Sequence, residues 1–226
     1  RRVLFRSVNT MSEAPPILLW LRRDLRLSDH PALSAAVASG RRIVPVFIRD
    51  AEVDALGAAP KWRLGLGVEK HRNALEKCGS GLVLRTGTPL ACLQRLIEET
   101  GATSVYWSRL YDPISISRDR EIKETLKAQG VEARSFGGHL LFEPWSVETK
   151  TGGFYRVYSP MWRAVKDRDV AAPLAAPVRI APPKIWPKSE RIEDWSLDAA
   201  MARGAMIVRP YLRLGEAAAQ DRLASV

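Results

Sequence analysis

Short apolar runs alternate with amphipathic segments through most of this chain, and this alternation restricts the folds that the chain can adopt. Each run has the length of a β-strand, and each intervening segment has helical spacing or helix-capping residues. Strands that alternate with helices pair in parallel, because the chain crosses a face of the sheet before it enters the next strand. We therefore predict a doubly wound, mostly parallel α/β sheet of the Rossmann-like class. Its five predicted strands cover residues 17–21, 43–48, 82–85, 104–107 and 131–136.

The predicted helices are marked by their periodicity and by the residues at their ends. Residues 61–77 carry an apolar stripe at steps of four, three, four and three. Shorter helices are predicted between Pro31 and Gly40, between Thr88 and Gly101, and over 117–129. Pro45 has no backbone donor, so we expect the second strand to start near it or to lie at a sheet edge.

The composition changes after the predicted sheet. Residues 140–165 are rich in aromatic side chains without a clear period, and residues 172–187 contain five prolines, too many for a helix or a central strand. We expect a non-native or disordered leader over 1–15, an α/β domain over 16–145, and a hinge with a Pro-rich linker over 146–205. The helical pattern over 206–226 predicts the start of a helical domain that is cut short.

Charge and cysteine content exclude several classes of protein. The formal net charge is +10, of which Arg1, Arg2 and Arg6 in the leader supply three. A basic balance suits a nucleic acid or another polyanion without requiring one. Cys78 and Cys92 have no paired spacing, which argues against a disulfide framework and a zinc site and favours the reducing cytoplasm. No apolar run approaches the roughly 18 residues needed to span a bilayer, so we expect no membrane association.

Charged residues follow three of the predicted strands, at the edge where a doubly wound sheet binds its ligands. These residues are Arg22, Arg23 and Asp24, then Arg49 and Asp50, and then Arg109, Tyr111 and Asp112. They form either an ion-pair network that holds loops or a second domain, or a set of ligand contacts. Arg63 lies near the start of a helix from which it can reach the same edge. No catalytic triad, phosphate-binding glycine loop or metal-ligand spacing is present in the sequence.

Three segments resemble the DNA photolyase and cryptochrome family. The first is Leu-Trp-Leu-Arg-Arg-Asp-Leu-Arg-Leu-Ser-Asp-His at 19–30. The second is Trp-Ser-Arg-Leu-Tyr-Asp-Pro at 107–113, followed by Arg118 and Asp119. The third is Leu-Leu-Phe-Glu-Pro-Trp at 140–145, with a Gly pair at 152–153 and Tyr-Arg-Val-Tyr-Ser-Pro-Met-Trp-Arg at 155–163. In the third segment Met161 replaces the usual Phe of the family.

The resemblance implies an α/β domain that holds a light-harvesting antenna pigment, joined to a helical domain that binds FAD. It implies light-driven, FAD-dependent repair of cyclobutane pyrimidine dimers, with damaged DNA as partner, by a cytoplasmic and monomeric protein. We expect the flavin site and all catalytic residues to lie outside this sequence, and the fragment alone to be inactive. The alternatives are a cryptochrome-type blue-light photoreceptor, a standalone nucleotide-binding or electron-transfer flavoprotein-like domain, and a basic nucleic-acid-binding module.

The resemblance also implies candidate residues for the antenna cleft. These are Asp50, Arg63 and Asp112, while Arg23, Asp24, Arg26 and Arg109 are expected at the rim of the cleft or between domains. Folate-binding members carry an Asn-Glu pair where this chain has Ile114 and Ser115, which lack a carboxylate for the pterin ring. Folate is therefore a less expected pigment than a deazaflavin or another flavin, and the absence of any pigment also remains open.

Overall fold

The computed structural model describes residues 14–225, and in it five parallel strands form one sheet. The strands are β1 (Ile17–Leu21), β2 (Ile43–Arg49), β3 (Val83–Thr86), β4 (Ser104–Ser108) and β5 (Glu132–Phe136). Their order is β3-β2-β1-β4-β5, so the strand order reverses beside β1. The predicted doubly wound α/β class is confirmed. Most of the predicted leader, residues 1–13, lies outside the described residues.

Eight α-helices and several short 3₁₀ turns are found in the described part of the chain. The helices are α1 (Pro31–Ala38), α2 (Ala51–Asp54), α3 (Ala58–Lys77), α4 (Pro89–Thr100), α5 (Pro113–Ala128), α6 (Tyr158–Val165), α7 (Arg203–Val208) and α8 (Gly215–Ala224). None of the helices within residues 14–225 combines the length and the apolar character needed to span a bilayer.

Alternate residues of β1 build the two cores of the domain. Ile17, Leu19 and Leu21 pack with residues of α1 and α3 on one face. Leu18 and Trp20 pack with residues of α4 and α5 on the other face. Successive strand residues point to opposite faces, so a central strand that is covered on both sides is apolar throughout. This double cover explains why β1 is a continuous apolar run.

Pro45 is the third residue of β2, in agreement with the expectation that the strand starts near it. The alternative expectation of an edge strand is wrong, because β2 lies between β1 and β3. Two residues before Pro45, the amide of Ile43 donates to the carbonyl of Ala181 on the side away from β1. The backbone nitrogen of Pro45 faces the same side, because the backbone groups of every second residue of a strand point in the same direction. Pairing of β2 with β3 begins only at Val46. The nitrogen of Pro45 therefore requires no ladder partner at this position.

Helix α5 begins at Pro113, four residues before the predicted start at 117. Asp112 caps it, since its carboxylate accepts a 2.9 Å hydrogen bond from the Ser115 amide. Proline in the first turn costs no hydrogen bond, because that amide has no partner within the helix. The Asp-Pro pair is thus a start signal for α5, and the same carboxylate stands at the edge where the strands end.

The Pro-rich segment packs along the sheet. Ile180 is fully buried, and its amide donates to the carbonyl of Cys78 at 2.9 Å. Further along, the amide of Glu190 donates to the carbonyl of Leu84 at 3.0 Å, so this segment covers the outer edge of β3. The limits of the predicted linker, 146–205, stay a prediction. Its many prolines are compatible with the extended segment that covers this edge strand.

Candidate functional site

A cleft of about 230 Å³, here called cleft A, opens at the carboxyl ends of β1 and β2. Its walls are apolar and include Phe47, Val53, Leu56, Leu64 and Leu110. Its rim is charged and consists of Arg22, Arg23, Asp50, Glu52 and Arg118. An apolar floor with a few polar groups at its mouth suits a planar ligand that is oriented by hydrogen bonds.

Arg22 is held at the rim of cleft A by a buried network. Its terminal nitrogens donate to the two carboxylate oxygens of Asp119 at 2.9 and 3.1 Å, and one also donates to the carbonyl of Ser108. Trp107 Nε1 donates to the same carboxylate at 2.9 Å. The guanidinium lies 4.4 Å from the ring centroid of Trp20, and burial lowers the pKa of Arg22. Arg22 is therefore an immobilised cation beside the cleft.

Arg118 closes the rim of cleft A on the α5 side. It donates to Glu52 at 2.7 Å and to Asp50 at 3.4 Å, and its guanidinium lies 5.4 Å from the ring centroid of Trp20. Asp50 also caps α2, since it accepts a 3.0 Å bond from the Val53 amide. The structure thus brings Asp50 to cleft A, with part of its bonding capacity already used inside the protein.

The other two proposed pigment contacts lie differently. Asp112 is at the N-terminus of α5, and the bond from the Ser115 amide is the main cause that lowers its pKa. Arg23 is mostly exposed and lies 4.0 Å from both Glu52 and Asp112, across the mouth of cleft A. Arg63 is exposed on α3 and is not among the residues that line the cleft. The pigment-binding role of these residues stays a prediction.

Asp24 is turned away from cleft A into the protein. It is buried, with Oδ2 2.9 Å from Nε2 of His30 and Oδ1 accepting a 2.8 Å bond from the Arg22 amide. His30 Nδ1 accepts from the Leu33 amide, so the ring proton is on Nε2 and faces the carboxylate. Burial by itself raises the pKa of Asp24, but the interaction with His30 outweighs it and holds the pKa well below its usual range.

Arg26 and the residues after it join three parts of the chain. Arg26 donates to the carbonyl of Asp29 at 2.7 Å and to that of Gly138 at 2.6 Å. The amides of Leu27 and Ser28 donate to the carboxylate of Glu216 at 2.6 and 2.8 Å. The 22–30 loop is thus a junction between the strand ends, the segment after β5 and the start of α8.

Arg109 belongs to a second network, beyond β4. It donates to Glu143 Oε1 at 2.6 Å, and Tyr111 donates to Glu143 Oε2 at 2.8 Å. The bond to Glu143 adds to burial in raising the pKa of Tyr111. These contacts connect the end of β4 to the Leu-Leu-Phe-Glu-Pro-Trp segment.

Several residues of the site were absent from the candidate residues. Glu52 and Glu216 had no signal in the sequence, because their partners are 66 and 189 positions away. Arg118 and Asp119 were noted only as part of a resemblance, although Asp119 holds Arg22 and Arg118 bonds to Glu52 and Asp50 at the rim. Their spacing offered a weak signal: adjacent residues of a helix point in different directions, and here one reaches Glu52 and the other Arg22.

The doubly wound sheet, with cleft A at the carboxyl ends of its strands, defines the class: a Rossmann-like α/β domain. Domains of this class commonly bind ligands at the point where the strand order reverses. Within this class, the family model for DNA photolyase matches residues 17–179. The chain belongs to the DNA photolyase family, as the three resembling segments predicted.

The similar proteins include photo-lyases and cryptochromes. The deoxyribodipyrimidine photo-lyase of Agrobacterium fabrum is 42% identical over 209 residues, which are 92% of this chain and 44% of that protein. Cryptochrome-2 of Arabidopsis thaliana is 32% identical over 206 residues, 86% of this chain and 33% of that protein. The crystal structure of a bacterial class III photolyase from Agrobacterium tumefaciens has a TM-score of 0.90 at 41% identity and covers 96% of this chain and 45% of that chain. The chain thus spans less than half the length of these relatives.

Proposed function

We propose that this chain is the amino-terminal part of a deoxyribodipyrimidine photo-lyase, which repairs cyclobutane pyrimidine dimers in light with FAD as cofactor. The observation that carries the proposal is the 42% identity to the Agrobacterium fabrum photo-lyase over 92% of the chain. The TM-score of 0.90 to a class III photolyase supports it at the level of the fold. The described residues alone are expected to have no repair activity.

In this proposal cleft A holds the antenna pigment. Its apolar walls suit one face of a planar ring, and Asp50 and Arg118 offer an acceptor and a donor at the rim. Ser115 is a poor folate contact, because its amide is bonded to Asp112 and its hydroxyl accepts from Arg118 at 3.2 Å. Ile114 is mostly exposed and carries no polar group. A deazaflavin or flavin ring therefore suits the cleft better than a folate held in the usual way.

Cleft A encloses about 230 Å³, less than the roughly 300–1,000 Å³ of sites that enclose a drug-sized ligand, so a pigment bound there would keep part of its surface exposed. We assign the FAD to the helical domain that the family resemblance implies. There FAD supplies the light-driven electron transfer, and the protein supplies position and electrostatics.

The second candidate is a cryptochrome-type photoreceptor, which the 32% identity to Arabidopsis cryptochrome-2 favours. The two functions separate in one assay on the complete protein encoded by the reading frame that contains this sequence. Under blue light, loss of thymine dimers from irradiated DNA, with none in a dark control, supports the photo-lyase. Flavin photoreduction without dimer loss contradicts the photo-lyase and supports the photoreceptor.

Partners and location follow the same proposal. Damaged DNA is the expected partner, bound mainly by residues outside this chain, and the protein is expected to be monomeric and cytoplasmic. Arg156, Arg163, Lys166 and Arg168 near α6 are the candidate phosphate contacts within the described residues. A DNA affinity of this chain that does not fall with rising salt concentration would exclude direct phosphate contacts.

A further inference from the structure

A second cleft, here called cleft B, lies where α5, the end of β5 and the 3₁₀ turn Pro144–Ser146 meet. Its volume is about 470 Å³, twice that of cleft A. The α5 residues that line cleft B do not include Arg118, which lines cleft A. The two clefts share only Leu110 among their lining residues, so they are separate sites on the same domain. Of the residues predicted at the sheet edge, Arg109 and Tyr111 line cleft B.

Two cations converge in cleft B on Ser135. Lys123 Nζ donates to the hydroxyl of Ser135 at 2.7 Å, and Arg109 donates to the carbonyl of the same residue at 3.1 Å. Arg109 is neutralised by Glu143, but within residues 14–225 Lys123 forms no ion pair. The carboxylate of Asp119, one turn earlier on α5, already accepts from Arg22 and Trp107. Lys123 is thus a half-buried ammonium group that has no ion-pair contact with the described residues, and Asp119 is the nearby carboxylate.

Cleft B is lined by three basic residues, Arg109, Arg120 and Lys123, and by two acidic residues, Asp119 and Glu124. Arg120 and Glu124 are exposed and lie one turn apart on α5, so their charges offset each other. Burial and the charge of Arg109 lower the pKa of Lys123, and the charge of Asp119 only partly offsets this lowering. An anion bound here would meet Lys123 in surroundings that are less solvated than the open surface.

Cleft B also contains an aromatic wall. The indole of Trp145 is 60% exposed, and the guanidinium of Arg109 lies 5.1 Å from its ring centroid. Arg109 itself is held by Glu143 and Ser135, so it fixes one side of the indole. An exposed indole that is fixed in this way offers a rigid surface for stacking a second aromatic ring.

We propose that cleft B binds a small aromatic anion, whose ring stacks on Trp145 and whose phosphate or carboxylate group pairs with Lys123. The volume lies within the roughly 300–1,000 Å³ of small-molecule sites. A nucleotide-like phosphate and a pterin-like carboxylate share the required chemistry, a planar ring that carries a negative group. The proposal does not depend on the photo-lyase activity, because it rests on residues of cleft B alone.

Equilibrium dialysis of the purified chain tests the proposal with defined probes. FMN and AMP represent the phosphate source, and folate represents the carboxylate source. Riboflavin, adenosine and pterin are the matched compounds without the negative group. We expect saturable binding of at least one charged probe, at least ten-fold tighter than its uncharged counterpart. The probes that bind show whether the negative group is a phosphate or a carboxylate.

Variants locate the bound probe. Lys123→Met and Trp145→Leu should each weaken binding at least ten-fold, while Lys127→Met, one turn further along α5 and outside the cleft, should leave it unchanged. Leu56→Trp, which fills cleft A, should also leave it unchanged. Absence of saturable binding overturns the proposal, as does equal binding of charged and uncharged probes. Binding that is lost in Leu56→Trp and unaffected by Lys123→Met also overturns it, while it supports the pigment site in cleft A.

Discussion

Replacing Asp119 by alanine removes the carboxylate that pairs with Arg22, the buried arginine beside cleft A. Asp119 accepts two bonds from Arg22 and one from Trp107, and the side chain of Arg22 is 9% exposed. Removing one partner of a buried pair costs about 3–5 kcal/mol, because the remaining charge is left without compensation. Arg22 keeps its bond to the Ser108 carbonyl and its contact with Trp20, so we expect the lower end, about 3 kcal/mol. For a domain of this size that loss lowers Tm by about 6–12 °C.

Urea unfolding and thermal melts measure this effect. Asp167→Ala is the control, since Asp167 is exposed and its 3.7 Å pair with Lys166 should contribute no more than about 1 kcal/mol. The double variant Arg22→Met/Asp119→Leu removes both charges and should be more stable than Asp119→Ala. If Asp119→Ala is no more destabilising than the control, or if the double variant is the least stable, then Arg22 is not a buried cation that needs this carboxylate.

Three further predictions concern other parts of the domain. Burial lowers the pKa of His71 to about 4, so the unfolded chain binds a proton first as pH falls below about 6.5. The free energy of unfolding should therefore drop by about 2 kcal/mol between pH 7 and pH 5. Urea unfolding of His71→Leu should not show this drop, and an equal drop in the variant and the original chain would contradict the prediction. Glu216→Ala should raise hydrogen exchange in α8 about 10-fold or more, because it removes bonds to a charged acceptor, whereas Asp221→Ala should not. Leu56→Trp should abolish pigment binding in cleft A without unfolding the domain, as absorbance and circular dichroism would show; retained pigment would place the antenna elsewhere.

The 22–30 loop shows how one segment serves packing and the site together. Arg22 enters the buried network at the cleft, Asp24 turns inward to His30, and the amides of Leu27 and Ser28 bind Glu216. Arg22 and Asp24 are two positions apart and would share one side of a regular strand, but the chain bends at Arg22 and Arg23. One short segment therefore reaches the cleft, the core and α8.

The sequence by itself determined the architecture. All five strands were located within one or two residues, because a buried strand and an amphipathic helix leave periodic patterns that depend only on neighbours along the chain. It also determined the family, since three motifs in order resemble it and the family model matches residues 17–179. Local rules were incomplete where they met tertiary context: Pro45 is tolerated near the start of an interior strand because the pairing of β2 with β3 begins only at Val46.

Only the tertiary structure decided which charges meet. Arg118 pairs with Glu52 across 66 positions, and Glu216 reaches Leu27 across 189. The spacing of residues carries no trace of such pairs, because an ion pair depends on where separate elements pack in space. The same reason hid cleft B, in which Lys123, Ser135 and Trp145 come from a helix, a strand and a turn. Periodicity along the chain specifies the elements, and the packing of those elements specifies the sites.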